Sequence, residues 1–231
     1  MLRAIDAYVK ACTVLKMFDE AIYFLFRTRR RGVVPNILIC NFLINRMVED
    51  GKVDMALAIY MQLKRLGLCP NHYTYAIVIK AFCKKCELEE AFHVFKEMEE
   101  AGVRPNSYCY TAYIEGLCNN MMSDSGYEVL QACRRVNVPV DPYAYIVVVW
   151  GFCREMKFDE AERVFLDMEE KGLVCQDVFS ALIYGYCKSH NLQKALVLHE
   201  DMQSRGIKTN CVIVSYILQC ILRWAILARW M

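Results

Sequence analysis

Apolar residues along the chain fall into short helical stripes punctuated by glycine and proline. In residues 37–71, Leu43, Ile44 and Met47 stand at i, i+1 and i+4, one face of a helix. Gly51 interrupts this pattern. A second stripe follows at Val53, Ala56, Leu57, Tyr60 and Leu63. Asp54 sits in its first turn, where an acid meets the positive end of the helix dipole. Gly67 suits a left-handed closing residue, and Pro70 prevents continuation because it lacks an N–H and restricts the residue before it. The segment therefore predicts a helix, a turn, a second helix and a stop. Residues 72–106 repeat it with Val78, Ile79 and Phe82, then Leu88, Ala91, Phe92, Phe95 and Met98.

The whole pattern recurs. Pro35, Pro70 and Pro105 each follow a glycine (Gly32, Gly67, Gly102) by three residues and precede an asparagine (Asn36, Asn71, Asn106). Alanine recurs in register at Ala21, Ala56, Ala91, Ala161 and, after a one-residue slip, Ala195. A period of this length predicts an all-α array of stacked helix pairs, a solenoid, in which each pair needs its neighbours to cover its apolar faces. The units are 2–36, 37–71, 72–106, 107–141, 142–175 and 176–210, with a partial seventh over 211–231. The fourth is degenerate: Gly126 replaces the alanine, Asn137 the closing glycine, and Pro139 arrives early. Work in such an array is spread along a surface rather than gathered in one pocket.

At 231 residues and 56% hydrophobic, the chain is too long and too apolar for disorder. Its net charge of +2 does not indicate a globally basic nucleic-acid binder, although an array can segregate charge by face. Cys83, Cys118, Cys153 and Cys187 share one helix position, where a small apolar side chain fits, and the Cys83–Cys86 pair lacks the second pair or histidines that a zinc site needs. Cys211 to Leu222 reads as the first helix of the seventh unit, and the remainder, with Trp224 and Trp230, supplies no closing helix. The mostly apolar stretch 211–231 carries Gln219, Arg223 and Arg229, which argue against a membrane span and for a helix with an exposed apolar side. Asp6 lies too early for an acid-free targeting leader; targeting lies outside this chain, or the chain is a fragment. The four histidines and the scattered acids form no recognisable catalytic or metal motif, so no enzyme activity, cofactor or small-molecule substrate is expected.

Tyr110–Cys118 (YTAYIEGLC), Ala181–Lys188 (ALIYGYCK) and the endings Gly67–Asn71 and Gly102–Asn106 resemble the plain-repeat (P-type) members of the pentatricopeptide repeat family. Tetratricopeptide units have period 34 and an early tryptophan, which does not recur here. The resemblance covers 2–210. It implies a right-handed superhelix whose first helices line a groove for single-stranded RNA, one base per repeat. The fifth and last residues of a repeat would read the base edge and the second would pack on its face. On that basis Asn41 with Asn71 resembles a pyrimidine reader, Thr111 with Asp141 a guanine reader, and Ser180 with Asn210 an adenine reader. Asp6 with Asn36 is not a readable combination. Asn106 pairs with Ala76, and Ile146 with Cys175 or Gln176; neither Ala76 nor Ile146 can hydrogen-bond a base through its side chain. Leu38, Tyr73, Tyr108 and Tyr143 hold the base-packing place, and Lys84, Arg154 and Lys188 the phosphate-contact place.

Solvated or repeat-packing roles remain open for these tyrosines and cations. So they do for the arginines at 27, 29, 30 and 31 that end the first unit. Lys96, Glu97, Glu99, Glu100, Asp167, Glu169 and Glu170 read as a solvated outer face. The resemblance places the chain in a mitochondrion or chloroplast, acting by occupancy of RNA. A protein-binding scaffold and a truncated gene product without activity of its own are the alternatives.

Overall fold

The computed structural model describes residues 2–30, 36–65 and 67–228, excluding the side chains of 2, 3, 29, 30, 224 and 226–228. The expectations placed on Arg31, Gly32, Pro35, Arg229, Trp230 and the side chains of Arg29, Arg30 and Trp224 fall outside that set. Among the described residues there are thirteen helices and no strand. In order they are α1 (Leu2–Val14), α2 (Phe18–Arg30), α3 (Ile37–Glu49), α4 (Val53–Arg65), α5 (His72–Lys84), α6 (Leu88–Glu100) and α7 (Ser107–Asn119). They continue with α8 (Ser123–Arg135), α9 (Pro142–Arg154), α10 (Phe158–Glu170), α11 (Gln176–Lys188), α12 (Leu192–Ser204) and α13 (Cys211–Ala228).

The chain divides into two compact units, Met1–Gly116 and Leu117–Met231. In the first, α1, α3 and α5 pack side by side, and α2, α4 and α6 each cover their own first helix. In the second, α9, α11 and α13 form the same kind of row, with α10 on α9 and α12 on α11. Local chemistry sets the ends. Asn71 accepts the backbone N–H of Thr74 at 3.0 Å while the Thr74 hydroxyl accepts that of Asn71 at 3.1 Å, a reciprocal cap. Gly67 and Gly102 close their helices at φ 71°, and Asn137 takes the left-handed conformation in the degenerate unit at φ 54°.

The recurrent small residues mark close approaches. Ala21, Ala56, Ala91, Ala161 and Ala195 have no exposed surface, and Gly126 is buried in their register. Along the first helices the cysteine of one repeat nests over a glycine of the next. A Cβ at Gly116 would stand 2.1 Å from Cys83 Sγ, and one at Gly185 2.8 Å from Cys153 Cβ. Burial pushes the thiols of Cys83, Cys153 and Cys187 up to about 12, so they pack as small apolar groups.

Three expectations are corrected. Phe92, placed on a core stripe by the sequence, is surface-exposed, its ring reaching only the edge of the core where it meets Phe95 and Tyr113. The outer acids are not simply solvated. Glu97 accepts Lys64 at 2.9 Å and the Tyr60 hydroxyl, Asp167 accepts Arg134 at 2.9 Å, and Glu169 pairs with Arg205, each tying one second helix to its neighbour. The helix expected to end near Leu222 runs on to Ala228, with Val212, Val214, Leu218 and Leu222 exposed. No described helix is long and apolar enough to cross a membrane.

Candidate nucleic-acid interface

The last residue of every repeat but the fifth caps the first helix of the next with its side chain; Cys175, which ends the fifth, makes no side-chain cap. Asn36 accepts the N–H of Leu38 at 3.0 Å, Asn106 that of Cys109 at 3.3 Å, Asp141 that of Tyr143 at 2.8 Å and Asn210 that of Ile213 at 2.9 Å. The cap consumes a carbonyl or carboxylate oxygen. An asparagine then has its NH2 left to donate, whereas Asp141 has a second carboxylate oxygen left to accept. One structural duty thus leaves two different polar faces.

Beside these caps stand the second residues of the helices. Leu38, Tyr73 and Tyr108 in the first unit, and Tyr143 in the second, are between 50% and 66% exposed. Such exposure of large apolar groups at one repeated place presents apolar surface to solvent, against which a planar ligand can pack.

The fifth positions behave differently from one another. Asn41 is only 1% exposed and already bonded: its Nδ2 donates to Asn71 Oδ1 at 3.2 Å and its Oδ1 accepts the Thr74 hydroxyl at 2.9 Å. The pair read as a pyrimidine reader is therefore bonded internally, with one Asn41 Nδ2 hydrogen left to donate. The Ser180 hydroxyl donates to the Gln176 carbonyl at 3.1 Å, leaving its lone pairs. Thr111 Oγ1 and Asp6 Oδ1 are buried with no hydrogen-bond partner, the state expected of groups that await one. Ala76 is half-buried and Ile146 buried, and both are apolar.

The three cations are exposed at helix ends. Lys84 donates to the Val48 carbonyl at 2.7 Å, and Arg154 to those of Cys118 and Asn119 at 3.0 and 3.1 Å. Both thus seal the C-terminus of the preceding first helix as well as carrying charge on this face. Lys188 lies over the Tyr184 ring, 5.4 Å from its centroid. The Arg27 guanidinium stands over the Tyr23 ring at 5.8 Å. Among the described residues no group of three or more His, Cys, Asp or Glu is placed to hold a metal.

An aromatic row on α9, α11 and α13 was not singled out from sequence. Trp150 and Tyr184 rings stand 5.0 Å apart, and Tyr184 and Tyr216 4.9 Å apart. Trp150 and Tyr184 hold equivalent positions in successive units, and that recurrence was the available signal.

These features define a helical-repeat protein whose first helices, in each unit, carry exposed polar and aromatic side chains. Residues 35–84 and 75–119 match the model of the PPR repeat family, and residues 143–173 and 177–207 match the model of the PPR repeat. Together the matches span more than half of the chain, which belongs to the PPR repeat family. A mitochondrial pentatricopeptide repeat-containing protein of Arabidopsis thaliana is 45% identical over 62 residues, 27% of this chain and 8% of that protein. The crystal structure of the maize pentatricopeptide repeat protein PPR10 matches with a TM-score of 0.68 at 23% identity, over 95% of this chain and 31% of that one. PPR10 in complex with an 18-nt psaJ RNA element matches with a TM-score of 0.77 at 20% identity, over 89% and 30%. The shared fold is the all-α helical-repeat solenoid. The chain spans less than a tenth of the length of the Arabidopsis relative and about a third of PPR10.

Proposed function

We propose that the chain is a P-type pentatricopeptide array that binds single-stranded RNA selectively and acts by occupancy in an organelle, shielding a segment or holding it unpaired. The observation that carries this reading is a pairing on α7, where exposed Tyr108 stands beside Thr111, whose buried Oγ1 lacks a hydrogen-bond partner. A base packed on such a ring excludes water from the hydrogen bond made at its edge, which raises the worth of that bond. The complex of PPR10 with RNA and the mitochondrial relative support the partner and the setting. The reading involves no catalytic step and no cofactor.

The test is binding of labelled RNA carrying, 5′ to 3′, any base, a pyrimidine, any base, guanine, any base and adenine. A scrambled oligonucleotide should bind more weakly, and equal affinity defeats the reading. Ser180→Asn recreates, with Asn210, the combination found at Asn41 and Asn71. It should move preference in that unit from adenine toward a pyrimidine. A protein partner is the second reading, favoured by the apolar cleft between α2 and α4 lined by Ile22, Phe26, Met55, Ile59 and Met61. Failure of every RNA together with stoichiometric binding of a defined helical peptide would support it.

A further inference from the structure

We propose that Trp150, Tyr184 and Tyr216 form a stacking platform that grips the nucleotides facing the fifth and sixth repeats whatever their bases, a proposal that rests on the RNA-binding reading above. The fifth repeat poses the problem. Ile146, at its fifth position, is buried and has no polar group to offer a base edge. A nucleotide passing there must be held by something other than edge hydrogen bonds from that position, and Tyr143 and Arg154 are the contacts so far assigned to that unit.

One turn further along the same helix face stands Trp150, and its counterpart on α11 is Tyr184. Their rings meet at 48°, and Tyr184 meets Tyr216 of α13 at 61°. Rings stacked in parallel hide each other's faces, whereas rings tilted at these angles leave part of each face uncovered. All three are half-buried: packing fixes their positions, and a surface remains accessible. Base–aromatic stacking is tolerant of sequence because every base has a π-face.

The charges around the row suit a polyanion. Lys188 and Arg223 line the shallow cleft that Tyr184 and Tyr216 share with Gln219. Arg154 stands one turn beyond Trp150 on the same stripe of α9, and the nearest acid on the corresponding stripe of α11 is Asp177, at the far end of that helix. Lys188 occupies the Tyr184 ring. A base stacking on that ring displaces the ammonium toward the adjacent phosphate, so one movement exchanges a cation–π contact for a stack and an ion pair.

The test uses the full chain and a small set of RNAs: the patterned strand, the same strand with an abasic residue facing the fifth repeat, and the same strand with each other base there. The abasic strand should bind about tenfold more weakly, and the base exchanges should change affinity by less than about twofold. Tyr184→Phe should retain affinity and Tyr184→Leu should lose about tenfold, with adenine preference in the sixth unit kept. Quenching of Trp150 emission on binding, read in a chain with Trp224 and Trp230 replaced by phenylalanine, reports the stack without disturbing it. If the patterned strand binds selectively and the abasic strand binds equally well, the platform is wrong while RNA reading survives. If the chain binds no RNA, both fall.

Discussion

The guanidinium of Arg154 donates to the carbonyl oxygen of Cys118, 3.0 Å away at the C-terminus of the preceding first helix. Lys84 makes the same reach to Val48 in the other unit. The last carbonyls of a helix have no partner within it, and a cation there satisfies them and complements the dipole.

Arg154→Leu should therefore lower stability by about 1 kcal/mol, read as a shifted denaturant midpoint at unchanged slope. Lys188 carries no such bond to a helix end in the structure. Lys188→Met should leave the midpoint nearly unchanged and reduce the salt slope of RNA binding by about 0.7, one phosphate contact on a single strand. The reverse outcome would exchange the two roles.

The internally bonded cluster of Asn41, Asn71 and Thr74 should behave as a unit. Asn41→Ala and Thr74→Val should each destabilise by about 1–3 kcal/mol. Their combined effect should fall short of the sum by at least about 0.5 kcal/mol, because they share partners. A double-mutant cycle on the full chain checks this. Thr74→Val should also blunt pyrimidine selectivity in that unit, since Asn41 then loses the hydroxyl that orients it.

Glu155 supplies an N-terminal cap in trans. Its Oε1 accepts the N–H of Ser123, the first residue of α8, at 2.8 Å, and Lys157 donates to its other oxygen at 2.7 Å. Burial pushes its carboxyl up, but the Lys157 and Ser123 hydrogen bonds outweigh burial and hold it below its ordinary value. A depressed carboxylate stabilises the fold above its unfolded pKa of about 4.3 and loses that contribution as pH falls through the folded value. The stability gap between the parent and Glu155→Gln should be constant above about pH 5.5 and shrink steadily below about pH 4. A gap that widens on acidification would contradict the assignment.

Gly151 tests the close approach along the first helices. A Cβ there would lie 2.2 Å from Ser123 Oγ and 3.0 Å from Cys118 Cβ. Gly151→Ala should cost about 1–3 kcal/mol through overpacking. Ser123→Ala in the same chain should recover part of the loss, since it removes the nearer atom.

The fold class was legible because its punctuation is chemical: proline, glycine and an asparagine cap recur together, and each acts within a few residues of its own position. The exposure of Tyr73 and Tyr108 was not fixed in the same way, since a second helical residue can face solvent or the adjoining repeat, and the structure leaves both exposed. The state of Asn41 was not legible either. Its burial depends on Thr74, 33 residues away, and a register of single positions says nothing of whether two side chains spend their hydrogen bonds on each other. The outer acids misled in the same manner: Glu97 looks solvated in its own helix and is engaged by Lys64 and Tyr60 of the preceding second helix.

Those cross-helix bonds span 33 to 37 residues, about one period of the chain. Each waits only for the next helix pair to be made. During synthesis a segment can therefore lock against its predecessor as soon as it clears the ribosome, with little search for distant partners. An array built this way can be lengthened or shortened by whole periods during evolution without redesigning what is already folded.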